Sequence, residues 1–153
     1  MSLDIPVFNT KGLRKAFYIF LGFNIVITVG SIVLKSTLDR VINHSLLGGI
    51  NLWILLLVLL AGSFLFSFLS KRELTSILAI DNHEQQFTEY ENYYKKKLIW
   101  NAVSVVLSAA FYLFTSKNYF LYLLLLQVVL SFSFYPSKTL LSRELKKDNI
   151  EFT

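Results

Sequence analysis

Residues 16–34, 46–69, 98–114 and 119–134 contain no Asp, Glu, Lys, Arg or His, and polar intervals separate these four apolar runs. At 1.5 Å of rise per residue the first covers about 28 Å as a helix, close to the ~30 Å hydrocarbon thickness of a bilayer. The second is longer, the third slightly shorter, and the fourth needs help at its ends from Tyr119, Tyr122 and Tyr135. Residues 115–118 leave room only for an antiparallel return, which makes spans three and four neighbours. The pattern predicts an all-α fold: a four-helix transmembrane bundle of two hairpins, forming a single membrane domain over residues 1–153.

The longest polar interval, residues 70–97, joins the hairpins and is read as a helical extension of spans two and three. Leu74, Ile77 and Leu78 fall at i, i+3 and i+4, continuing the second span as an amphipathic helix beyond the lipid. Asp81 followed by Glu84 has the spacing of a capping box. Phe87, Tyr90 and Tyr94 then recur on one face of a helix that runs without Gly or Pro into span three. These rings are expected to pack on Leu74, Ile77 and Leu78. Tyr90 and Tyr94, with Lys95, Lys96 and Lys97, are also the candidate contacts for a protein partner or for anionic lipid headgroups. Asn9 or Thr10 is placed to cap the first helix, and Pro136 ends the fourth span. In the tail, residues 135–153, Leu140, Leu141 and Leu145 alternate with Lys138, Arg143, Lys146 and Lys147, a pattern suited to a short helix on the membrane surface or to a solvated tail.

Composition agrees with the membrane as solvent, since 54% of residues are hydrophobic and only 16% are charged, against about a quarter in soluble domains. The formal charge of +5 points to topology and not to nucleic acid, because the basic residues flank the apolar runs instead of forming a patch among polar ones. Of the 15 Lys and Arg, all but Lys35, Arg40 and Lys117 lie in the lead, the connector and the tail. That bias places both termini and the connector in the cytoplasm. The basic lead with the first run also fits a secretory signal, for which Thr28-Val29-Gly30 is a poor cleavage site. The absence of cysteine excludes disulfides, thiolate metal sites and thiol redox chemistry.

No titratable group sits in the runs, which argues against proton-coupled pumps, ion exchangers and intramembrane aspartyl enzymes. There is no G-x-S-x-G, H-E-x-x-H, P-loop or dinucleotide fingerprint, and His44 and His83 fall on opposite sides. No catalytic, cofactor-binding or metal-ligating residue is therefore assigned. Each span does carry a neutral polar stripe at helical spacing: Asn24, Thr28 and Ser31; Ser63 and Ser67; Asn101, Ser104 and Ser108; Gln127 and Ser131. Unpaired amides are costly in hydrocarbon, so these stripes are expected to face inward as interhelical packing. Asn24 and Gln127 sit near mid-span and are expected to meet across the bundle, with Ser63, Ser104 and Asn101 completing the set.

The run Phe87, Tyr90, Tyr94 into KKKLIWN, the FYLFTSKNY turn and YPSKTLLSREL after the last span resemble a group of small, uncharacterised four-span bacterial membrane proteins, over roughly the C-terminal half. The resemblance implies a bacterial inner-membrane location and supplies no activity. The expected function is a non-enzymatic scaffold or accessory subunit of a membrane complex, with a protein partner or further copies of itself. An oligomeric channel, holin-like pore or small-solute facilitator is the alternative. A lipid-modifying enzyme using His83, Glu84 or Tyr93 at the bilayer edge is a second.

Overall fold

A computed structural model describes residues 7–41, 52–115, 117–146 and 151–152. His44, Gly48, Gly49 and the first part of the second apolar run lie outside them. The described chain is helical apart from a two-residue parallel pairing of β1 (Val7–Phe8) with β2 (Glu151–Phe152). The helices are α1 (Lys11–Val41), α2 (Leu52–Leu78), α3 (His83–Thr115), α4 (Asn118–Ser131) and α5 (Lys138–Leu145), with a 3₁₀ turn at Phe132–Phe134 between the last two.

Their lengths follow from local chemistry. The α1 helix starts where Asn9 Oδ1 accepts the Lys11 N–H (3.0 Å) and the Thr10 carbonyl accepts the Arg14 N–H (2.9 Å), as expected for a cap at Asn9 or Thr10. The α3 cap lies one residue past the expected Asp81. Asn82 Oδ1 accepts the N–H groups of Glu84 (3.0 Å) and Gln85 (3.3 Å), so the helix opens at His83. The α3 helix then runs 33 residues, about 50 Å, and must project well beyond a ~30 Å hydrocarbon layer. The α4 helix has only 14 residues and tightens into the 3₁₀ turn before Pro136, which has no N–H to continue it. From there α5 leaves at 79°, opened by Ser137, whose hydroxyl accepts the Leu140 N–H (3.2 Å).

Three helices, α1, α2 and α3, are long and apolar enough to cross a membrane, or four if the bent α4 and α5 pair makes one span. Large apolar side chains such as Leu57, Phe64, Phe68, Ile99, Leu126 and Val129 are exposed along them, consistent with a multi-pass membrane protein. The α3 helix is the axis: α1, α2 and α4 all pack on it, α1 also touches α4, and α2 packs chiefly on α3.

Two cores stack along α3. At the end carrying the polar connector, Phe87, Tyr90, Tyr93, Tyr94 and Leu98 of α3 meet Ile77 of α2, Leu13, Phe17 and Phe20 of α1, Phe8 of the lead, and Leu141 and Leu145 of α5. Farther along, Val105, Ala109 and Tyr112 meet Leu55 of α2 and Phe120 and Leu124 of α4. The tail does contain a short helix, α5, as expected, but it is not simply solvated. Leu141 and Leu145, the apolar face assigned to lipid, are buried against the protein because the 79° bend after Pro136 turns α5 back across α3.

Candidate functional site

The most concentrated chemistry lies where α5 crosses the polar half of α3. Tyr90, Tyr94 and Lys97 recur at i, i+4 and i+7 and so share a face of α3. On α5, Leu141, Glu144 and Leu145 at i, i+3 and i+4 form the opposing face, which sets the Glu144 carboxylate between two buried leucines. Tyr90 Oη donates to Glu144 Oε2 (2.8 Å), and Lys97 Nζ donates to Glu144 Oε1 (2.8 Å). The ion pair is sheltered, with side chains 17% and 12% exposed. The Lys97 ammonium also lies 5.4 Å from the Phe134 ring centroid and 5.9 Å from that of Tyr93. Tyr94 Oη donates to the Phe134 carbonyl (2.6 Å), an acceptor left over where the helix ends. Ser70 of α2 donates to Tyr93 Oη (3.0 Å), so the same cluster reaches the neighbouring helix.

Electrostatics make both phenols permanent donors. Burial pushes the Tyr90 hydroxyl far above the usual phenol range, and the negative charge and hydrogen bond of Glu144 push it further, with Tyr93 and Tyr94 adding smaller effects. Burial, then Glu144, raises Tyr94 likewise. Glu144 has a charged or neutral donor on each oxygen, an arrangement suited to holding α5 and not to abstracting a proton. Lys96, on the exposed side, is raised by its hydrogen bond to Glu73 (2.6 Å) and by that carboxylate's charge.

The expected partner-binding set therefore divides. Tyr90 and Tyr94 are fully buried and hold the chain's own tail, so they are unavailable to a partner. Lys97 is paired to Glu144, Lys96 to Glu73 across the α2–α3 hairpin, and Lys95 to Glu91 one turn back (2.7 Å). The rings do pack on Leu74 and Ile77, but the cluster does not include the third expected residue, Leu78, and Phe8, Leu13, Phe17, Leu141 and Leu145 fill the rest of their surroundings. Of the residues considered for lipid chemistry, His83 and Glu84 sit at the exposed tip of the hairpin, about 15 Å along α3 from buried Tyr93, so the three form no common site. Among the described residues no three His, Asp or Glu side chains come together as a metal-ligand set.

In the apolar half the neutral polar residues join into one seam between α1, α3 and α4. Asn24 Nδ2 donates to Ser131 Oγ (3.0 Å), and Ser131 Oγ donates to the Gln127 carbonyl one turn back (2.7 Å). Gln127 Nε2 donates to Ser104 Oγ (3.0 Å) and Ser108 Oγ (3.2 Å). The expected Asn24–Gln127 contact is thus replaced by a serine relay, because the small Ser131 lets α1 approach and offers its hydroxyl first. Asn24 is fully buried, while Asn101 is half-buried and its Oδ1, like Asn24 Oδ1, Thr28 Oγ1 and Gln127 Oε1, has no hydrogen-bond partner in the protein. Ser63 departs from the expectation: it and Ser67 are exposed. The α2 helix turns Leu55, Leu59, Phe66 and Ser70 inward, with Phe66 stacked on Trp100 at 5.3 Å, and that choice of face leaves Ser63 outside.

Glu144 is the residue that sequence reasoning missed. Its signal was present in the Leu141, Glu144, Leu145 spacing, which places an acid on an otherwise apolar face.

Replacing Glu144 by Ala strands a sheltered ammonium and a buried phenol, and is expected to destabilise the protein by about 3 kcal/mol. The double variant Glu144→Leu with Lys97→Met should recover most of that loss, as read from thermal unfolding in mild detergent. Alkali provides a second check. The fold favours protonated Tyr90, so its contribution is complete below the unfolded phenol value of about 10 and falls as pH rises beyond it. Melting temperature followed through that range should drop less steeply in Tyr90→Phe, which cannot ionise. Comparisons with protein-family models, curated proteins and solved structures find no match, so the functional reading rests on this geometry.

Proposed function

We propose that the protein is a non-enzymatic accessory subunit of a membrane complex, which it joins through the outward face of α2. The observation that carries this reading is the one-sided packing of that helix. Only 11% of the apolar window of α2 is buried, against 28% in both α1 and α3. The outward face also holds residues suited to close approach by another helix. Ser63 and Ser67, one turn apart, are exposed on it. Lipid tails are as apolar as leucine, so membrane helices associate through close packing at small residues. The favoured occupant is a membrane helix of another polypeptide.

The buried aromatic cluster supports a structural role for the polar end. It fastens the lead, the hairpin and the tail into one body around α3, leaving the outer helix surfaces for association. The seam around Asn24 and Gln127 is closed by packing, which favours helix cohesion over a solute path through one chain.

The basic bias of the lead, connector and tail supports a cytoplasmic position for the aromatic core, and the resemblance to small four-span bacterial membrane proteins supports an inner-membrane location.

The chain has no native cysteine, so single-cysteine variants report cleanly. A photoactivatable crosslinker on Ser63→Cys in native membranes should give one discrete heteromeric adduct, whereas Val26→Cys on exposed α1 should give none. Equal, diffuse labelling at both positions defeats the reading, and an adduct of twice the chain's mass replaces the partner with a second copy. For orientation, an impermeant maleimide should label Asn118→Cys on intact spheroplasts and Thr139→Cys only after lysis; the reverse order inverts the topology.

A further inference from the structure

We propose that a groove between α1 and α3 seats one acyl chain of an anionic phospholipid, with the headgroup phosphate held at Lys95 and Lys15. This site is separate from the α2 face and stands whether or not that face binds a partner.

The groove has a volume of about 630 Å³ and is walled by apolar residues, including Ile19 and Phe23 of α1 and Ile99, Ala102, Val103 and Val106 of α3. Lys95 is the polar residue in its lining. Along α3 the lining runs from Lys95 to Leu107, about 18 Å, which matches one leaflet, half of the ~30 Å hydrocarbon layer. One chain of an inner-leaflet lipid fits that length. A second membrane helix fits less well, because α1 and α3 are already in contact along the floor and a helix about 10 Å across would rest on the rim.

Charge decides which lipid. Both walls open with a lysine one turn before their first large apolar residue: Lys15, Ile19 and Phe23 recur at i, i+4 and i+8 on α1, and Lys95, Ile99 and Val103 do so on α3. Both helices leave the same polar core, and Lys15 is the chain neighbour of Ala16, which lines the groove together with Lys95. Both lysines are exposed. Lys95 Nζ is 2.7 Å from Glu91 Oε1, and an ammonium has three protons, so two remain for phosphate oxygens. Glu91 Oε1 in turn lies 3.2 Å from where a side chain on Gly12 would begin, which places the carboxylate against the start of α1. Glu91 therefore orients Lys95 and also competes with phosphate for it. The apolar walls cannot discriminate among lipids, since tails are alike, and selectivity has to come from this basic mouth.

The test uses the full chain reconstituted in vesicles of equimolar phosphatidylglycerol and phosphatidylcholine, extracted in mild detergent and weighed by native mass spectrometry. One retained lipid per chain is expected, enriched in phosphatidylglycerol about fivefold per lysine, the equivalent of ~1 kcal/mol for a basic residue at an anionic surface. Lys95→Gln, an exposed change that leaves the fold intact, should lower the enrichment while a lipid is still retained. Glu91→Gln should raise it. Ala102→Phe should fill the groove and abolish retention of either lipid. Excess glycerol phosphate should leave the retained lipid in place. The proposal is overturned if retained lipid mirrors the vesicle composition, if Lys95→Gln leaves the enrichment unchanged, if glycerol phosphate displaces the lipid, or if a photocrosslinker at Val103→Cys captures polypeptide instead of lipid.

Discussion

The Glu144 carboxylate, shared between the Lys97 ammonium and the Tyr90 hydroxyl, is the interaction through which the polar end of the molecule closes. A sheltered ion pair contributes little net stability compared with apolar residues of the same shape, because desolvation offsets most of the attraction. Its value lies in what it forbids. Once α5 brings a carboxylate to this spot, only a register that supplies both donors avoids an unpaired buried charge, and that register also buries Leu141 and Leu145. The pair thereby selects one docking of the tail from the several that an amphipathic eight-residue helix could adopt. Because β2 follows α5 and pairs with β1, the same choice positions the lead, with Phe8 against Phe87 at 4.5 Å between ring centroids.

The α3 helix passes through two solvents, and its two cores are built accordingly. Toward the polar end, water supplies the driving force, and the interior is made of large rings and leucines whose burial is favourable at about 25 cal/mol per Å². Farther along, that driving force is absent, and cohesion has to come from close contact and hydrogen bonding. The seam of Asn24, Ser104, Ser108, Gln127 and Ser131 meets this need, and Ala109 keeps α3 slender where α4 crosses it. Such bonds contribute ~0.6 kcal/mol each on average, so the apolar half is held weakly compared with the aromatic core. That imbalance makes the aromatic core the anchor of the molecule.

The sequence made the helices legible because their cause is local. Uncharged runs, the Asn9 and Thr10 cap, and Pro136 each act on the backbone at hand, and α1, α3 and the end of α4 follow from them. The cap at Asn82 was misplaced by one residue because Asp81 satisfies the same local chemistry equally well. Faces were harder to read. For α1, α3 and α4 the polar stripe coincided with the packed side, whereas on α2 both Ser63 and Ser70 are candidates, and the choice of Ser70 is made by Tyr93 and Trp100 on another helix. Burial of Tyr90 and Tyr94 depended on a bend more than 40 residues later in the chain, a long-range consequence of Pro136 that no window around residue 90 contains.

Exposure carries a different meaning in lipid than in water. An exposed Leu57 or Val129 costs nothing in hydrocarbon. An exposed serine hydroxyl is also a poor marker of polarity, since it can return its hydrogen bond to a carbonyl of the preceding turn, as Ser36 does to Val33 and Ser133 does to Leu130. What lipid cannot replace is shape and charge. Ser63 and Ser67 matter as small side chains that let another backbone approach, and Lys95 matters as a charge beside an apolar groove. Both features sit on surfaces where the helices around α3 leave an open flank. The helix that organises the interior also determines where the exterior stays incomplete.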